Sequence, residues 1–419
     1  MHYKAEIFDR MQWLYEATGF TDHQVHCELG LGSSLDESAL RRAVEISLGA
    51  IPILATKYAA ADGKAAWVSL PPSELKGSFA LVHGEAAFES ERTYRIREEL
   101  GPQVRVCLMV GGRNALAVTM NHMVTDGSGF TDYLYFLCDA YSRLLRDPAY
   151  GSERVIDGDR GIGPVLRAVG PIAKAASLLG FGGASNEPGE FAFPYSEGGE
   201  LAPFIATRTI VAEKVSELKS YCRERGATLN DAALAAYYRV LGGRIGEAAL
   251  TRLAIPIMID MRRYLPSREF DALRNLSSTA ITRLSQCAGE SFETTLLKAK
   301  AEMDKLKRRR IGLGGFVKLE LLFSLLGERE AFRRLGRGLR NPLICMTNVG
   351  ELDSERLAFA ATRVESAYVC GSIKHKPHFQ MALSGFAGTI TLSSNLYGSL
   401  EDRASVDSFL ADVEGELSV

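Results

Sequence analysis

The stretch Val118-Thr-Met-Asn-His-Met-Val-Thr-Asp-Gly-Ser-Gly-Phe130 brings together the residue types that move protons near neutral pH. His122 follows an alternating segment, Ala115 to Met120, which predicts a strand. Beyond Asp126 and Gly127, apolar residues Phe130, Tyr133, Leu134, Leu137, Cys138, Tyr141, Leu144 and Leu145 recur at helical spacing. A histidine thus leaves a strand at a tight turn, just before a helix start with free N–H groups. Of the seven histidines in the chain, this one is the candidate general base. A turn histidine held only by hydrogen bonds would show the same local pattern.

Asp126 could orient the imidazole or hold the turn. Gly127 bends the chain as the helix begins, which favours the second role. A buried carboxylate without a partner costs on the order of several kcal/mol, so a cation is expected beside it. The candidate is Arg262, in Asp260-Met-Arg-Arg263 at the end of a strictly alternating strand, Leu253, Ile255, Ile257 and Ile259. Pro256 within that strand predicts one unpaired side or a bulge.

Several other elements are legible. Ser34-Leu-Asp-Glu37 predicts a capping box for a helix with Leu40, Val44 and Leu48 on one face. Ser90 to Leu100 is expected to be helical, and Val104–Val110 with Ala115–Met120 to form a hairpin. From Gly151 to Pro203 the chain holds eleven glycines and five prolines, a density that breaks long elements. Domains are therefore expected at 1–160, 161–203 (connection) and 204–419. In the last, Leu229–Leu241 is a buried helix, Phe292–Leu306 an amphipathic one, and Ser399-Leu-Glu-Asp402 caps the final helix.

The chain of 419 residues is long enough for two cores. With 46% apolar and 24% charged residues and a net charge of −2, no basic field argues for nucleic acid. No stretch reads as a membrane span or a signal peptide. The seven scattered cysteines, without C-x-x-C spacing, fit reduced thiols, and a cytoplasmic location is expected.

Asn121-His122-Met-Val-Thr-Asp126-Gly127 resembles the H-H-x-x-x-D-G motif of the chloramphenicol-acetyltransferase-like superfamily, which includes peptide-synthetase condensation domains and alcohol acyltransferases. Four further regions are similar in chain order: residues 34–54; Thr228-Leu-Asn-Asp231; Asp260-Met-Arg262; and Thr347-Asn-Val-Gly350 with Leu392-Ser-Ser-Asn395. The resemblance implies an α/β fold of two chloramphenicol-acetyltransferase-like lobes in a V, with an active-site tunnel between them. It implies a crossover segment near 341–350 and a pairing of Arg262 with Asp126. It also implies His122 as general base in a transfer without covalent acyl-enzyme, in natural-product or lipid metabolism. No bound cofactor is expected; an acyl-CoA or phosphopantetheinyl thioester is the co-substrate. The partners expected are a small-molecule acceptor and an acyl or peptidyl carrier protein. Asn121, Ser128, Asn348 and Ser394 are candidate substrate or tunnel residues. The first motif histidine is Asn121 here, so a non-catalytic module that binds a carrier or partner protein is the alternative.

Other candidates read more plainly. His375-Lys-Pro-His378 lacks a third metal ligand nearby and is expected to be a surface loop; no metal site is expected. The basic run Lys305-Leu-Lys-Arg-Arg-Arg310 is expected to be a solvated helix end, although it could meet a phosphate or an acidic carrier. Met258, Met303, Met346 and Met381 are expected to fill the core.

Overall fold

In the computed structural model, which describes residues 2–61, 64–179, 191–338 and 343–418, the strand Ala115–Asn121 lies at the centre of a five-stranded sheet. All seven of its residues are buried, so it carries apolar side chains on both faces. The first lobe comprises β1 (His2–Lys4), α1 (Ile7–Ala17), β2 (Gln24–Leu31), α2 (Glu37–Ala50), β3 (Thr56–Ala61) and β4 (Lys64–Ser69). It continues with β5 (Phe79–His83), α3 (Glu85–Arg92), β6 (Val104–Val110), β7 (Ala115–Asn121) and α4 (Gly127–Arg146). β6 and β7 form the expected antiparallel hairpin. Leu40, Val44 and Leu48 of α2 share one core with Phe130, Tyr133, Leu134 and Leu137 of α4.

Two local expectations are corrected. The cap of α2 is Asp36, whose carboxylate accepts from Ala39 N, rather than Ser34. The helix expected at Ser90–Leu100 is α3, which ends at Arg92. The backbone beyond it is engaged by other elements: the Gln24 amide donates to Ile96 O, and Tyr58 N to Glu98 O.

The second lobe follows. Its elements are α5 (Gly163–Val169), α6 (Pro171–Leu179), β8 (Ala202–Ile210), α7 (Ala212–Glu224), α8 (Leu229–Ile245), α9 (Glu247–Arg252), β9 (Ala254–Asp260) and β10 (Ser277–Arg283). Next come α10 (Phe292–Arg308), α11 (Leu313–Gly338), β11 (Ile344–Leu352), β12 (Val364–Cys370), β13 (Lys374–His375), β14 (Phe379–Phe386), β15 (Thr389–Gly398) and α12 (Leu400–Leu417). Six strands run in the order β10-β9-β11-β14-β15-β13, and β8 adds to β15. Thr228 with Asp231, and Ser399 with Asp402, close capping boxes on α8 and α12. Pro256 sits where β9 pairs fully with β10 and touches β11 at a single register position.

The expected boundaries shift in two places. Ile162, Val165, Leu166, Phe191 and Phe193, from the span expected as a connection, belong to the second-lobe core; residues 180–190 of that span lie outside the described residues. β11, near the expected crossover at 341–350, pairs within the second sheet. The strand that crosses is β12, antiparallel to β2 in the first-lobe sheet. Its apolar residues Val364, Ala367 and Val369 fill the first-lobe core. No described helix is long and apolar enough to cross a membrane.

Candidate active site

β7 delivers Asn121 to a turn whose geometry that side chain builds. Asn121 Oδ1 accepts from Met123 N at 2.9 Å, and its Nδ2 donates to Gln103 Oε1 at 2.7 Å. The residue is fully buried, so it shapes the turn and does not face the cavity between the lobes. This corrects its expected place among substrate residues. It also gives a physical use for asparagine at the first position of the motif.

His122 follows, half-buried, on the wall of a cavity of about 520 Å³ lined by both lobes. Its N–H donates to His23 O at 2.7 Å. Asn275, from the segment leading into β10, donates its Nδ2 hydrogens to His122 O at 2.7 Å and Thr125 O at 3.1 Å. Both hydrogens are thereby committed, although Nδ2 also approaches His122 Nδ1 at 3.2 Å. The same two carbonyls favour the protonated ring, and His122 Nε2 has no hydrogen-bond partner among the described residues. Burial, reinforced by the charge of Lys374, pulls the imidazole below its ordinary pKa, so the ring is neutral at pH 7.

Asp126 caps α4 through Gly129 N at 2.9 Å. Its other oxygen accepts from Arg262 Nη1 at 2.7 Å and from Leu276 N at 2.7 Å. Burial alone would raise this carboxyl; the guanidinium and the two N–H donors hold it below its usual range. Arg262 also donates to Arg274 O at 3.1 Å. Residues 274–276 of the second lobe therefore clasp the first-lobe turn along its length. At Gly127 a Cβ would meet only Val349, at 3.7 Å, so glycine there keeps the cavity wall open. At Gly129 a Cβ would lie 2.6 Å from Thr125 Oγ1, so glycine there is required by packing.

Three further expected site residues stand off the cavity wall. Ser128 Oγ donates to Asp260 Oδ2 at 3.1 Å. Asn348 is exposed and bonds Asn230 at 3.3 Å; its neighbours Thr347 and Val349 line the cavity, as alternation along a strand requires. Ser394 is buried in β15.

The structure adds residues that the sequence reading did not single out: Tyr15 of α1, Phe20 and Thr21 beyond it, Asn275, and Lys374. A polar residue between two apolar strands was the available signal for Asn275. Met258 lines the cavity as well as serving β9. Lys305, Arg309 and Arg310 of the basic run, with Arg283, are exposed and also line the cavity, so they ring its mouth. His378, expected on a surface loop, is buried against the Phe20 ring, with centroids 4.2 Å apart.

Among the described residues one group offers three metal-type ligand atoms within 4.8 Å: Glu16, His23 and Glu98. Glu16 lies 2.7 Å from His23 Nδ1 and Glu98 lies 3.3 Å from Nε2. Glu16 is also paired with Arg95, so the three side chains tie α1, the start of β2 and the segment before β6 together.

No family model matches the sequence, and no curated protein does. The fold nevertheless has close counterparts among solved structures. Polyketide synthase associated protein 5 from Mycobacterium tuberculosis superposes with a TM-score of 0.70 at 14% identity, over 100% of this chain and 98% of its own. The first condensation domain of the CDA synthetase gives 0.71 at 13%, over 100% and 96%. Trichothecene 15-O-acetyltransferase from Fusarium sporotrichioides gives 0.66 at 14%, over 99% and 95%. The chain is thus a two-lobed α/β protein with the chloramphenicol-acetyltransferase-like fold. The counterparts that share this fold include condensation domains of peptide and polyketide synthetases.

Proposed function

We propose that the protein is an acyltransferase that moves an acyl group from a thioester to a hydroxyl or amine acceptor. The observation that carries this reading is His122, neutral, with Nε2 uncommitted, on the wall of a cavity shared by both lobes. His122 Nε2 takes the proton of the acceptor O–H or N–H as that atom attacks the thioester carbonyl. The tetrahedral oxyanion forms beside Gly127, whose N–H opens α4. Collapse breaks the C–S bond, and the departing thiolate takes the proton from His122. Ester or amide and free thiol result, with no acyl-enzyme. The cationic mouth formed by Arg283, Lys305, Arg309 and Arg310 suits the phosphate of a pantetheine arm, on CoA or on a carrier protein.

The test follows thiol release with acyl-CoAs and acyl-loaded carrier protein against hydroxyl and amine acceptors. Wild type should turn over at least one pair, and His122→Ala should lose that turnover with donor binding retained. Absence of acceptor-dependent thiol release with every pair, or full activity in the variant, rejects the reading. The first result would favour a module that only binds a carrier or partner protein.

A further inference from the structure

The cavity is chemically divided. Phe8 and Met11 of α1, with Ile311, Phe316 and Leu319 around the start of α11, make one wall apolar. Thr21, Ser372, Lys374 and Gln380 make another polar. Lys374 is 6% exposed and has no hydrogen bond or ion pair among the described residues. It is held by register with Leu396 across β13 and β15, and its Nζ lies 4.7 Å from the centre of the Phe20 ring.

The acid that acts on it, Asp22, is already engaged: Oδ1 accepts from Gln24 N at 3.2 Å and Ile373 N at 2.9 Å, and Oδ2 faces His26 at 3.8 Å. The other titratable neighbours are the Cys345 thiol and His122, His375 and His378, none of them an anion at pH 7. An ammonium so placed, desolvated and resting on an aromatic face, retains unused hydrogen-bonding capacity toward the cavity. A cation buried in this way without a counter-ion is costly; a ligand anion would remove that cost.

We propose that Lys374 is the counter-charge for a carboxylate on the substrate, so that the cavity selects amphipathic acids whose apolar chain lies along the Phe8, Met11, Phe316 and Leu319 wall. The inference deepens the acyltransfer reading by naming the substrate class, and rests on it for the role of the acid. Lys374 would be a specificity residue that accepts and releases no proton in the transfer itself. The polar wall makes the same point independently, since the Thr21, Ser372 and Gln380 side chains suit a charged head group and not a methyl terminus.

Binding decides the question without turnover. The probes are 3-hydroxydecanoate and 10-hydroxydecanoate, each beside its methyl ester, titrated calorimetrically into the full chain at pH 7. Wild type should bind at least one acid ten-fold or more tightly than its ester. Lys374→Met should abolish that preference while leaving ester affinity within about two-fold, and Lys374→Arg should keep it. The wild-type comparison needs no variant, so a misfolded Lys374→Met would not protect the proposal. Equal binding of acid and ester, binding of neither at millimolar concentration, or a preference that survives Lys374→Met overturns it. If the acid preference is seen but no thioester is consumed, the acyltransfer reading fails alone. If transfer depends on His122 without any acid preference, only this inference fails.

Discussion

His122 and His23 stand one backbone hydrogen bond apart, 2.7 Å from N–H to carbonyl, yet their rings have opposite surroundings. His23 is fully buried, has a backbone φ of +43°, and meets a carboxylate at each ring nitrogen. The left-handed backbone is unfavourable for a non-glycine residue and persists because both side-chain contacts fix it. Burial would raise the Glu98 carboxyl, but the His23 ring 3.3 Å away holds it below the usual range. Glu16 is shared further with Arg95. His122 has Nδ1 3.2 Å from the Asn275 side-chain amide, and its ring lines the cavity with no carboxylate on either nitrogen. The two rings therefore differ in how many of their nitrogens face a carboxylate.

The largest effect should come from exchanging those roles. His122→Ala is expected to lower kcat/KM about 10²–10⁴-fold with a melting temperature close to wild type, measured by thiol release and calorimetry. His23→Ala should do the reverse first: about 3–5 kcal/mol lost from urea unfolding, because the buried Glu98 carboxylate loses its partner. If His23→Ala melted like wild type and His122→Ala did not, the comparison would be inverted.

Arg262→Met should cost a similar amount, about 3–5 kcal/mol, by leaving Asp126 buried without its cation. Activity should fall with it, since the same carboxylate caps α4 and holds Leu276. Gly129→Ala is expected to cost about 1–3 kcal/mol, because the new methyl meets Thr125 Oγ1 at 2.6 Å. A neutral result there would mean that the turn is looser than its contacts suggest.

The smallest effect is in pH dependence. The pKa of His122 is lowered from 6.5, so the neutral, reactive form persists as pH falls through 6.5, and kcat/KM should decline only below it. In the unfolded chain the same imidazole takes up its proton first, so its stability contribution is intact above pH 6.5 and eroded below. Because Lys374 helps to depress that pKa, Lys374→Met should move the acid limb of the profile to higher pH. A limb that moved down, or stayed still, would detach Lys374 from the His122 field.

The strand, turn and helix around His122 were legible because their signals are local. Alternation marks β7, a helical apolar stripe marks α4, and Asp126 lies three residues before the N–H it caps. Arg262 was reachable from its position at the end of an alternating strand. Asn275 offered only its polar type between two apolar strands, and Lys374 had no neighbour in sequence that explains it. The same holds for Asn121, Asn348 and Ser394, whose residue types suit a binding site but whose strand positions turn them elsewhere.

What the amino-acid order settled without help was the pair of α/β halves and the turn that carries His122, because hydrophobic period and capping act over a few residues. Only the folded chain decided that β12 crosses to complete the first sheet, that residues 274–276 grip the His122 turn, and that a lysine faces the same cavity. Those contacts join positions more than a hundred residues apart, where no local pattern constrains which side chains meet.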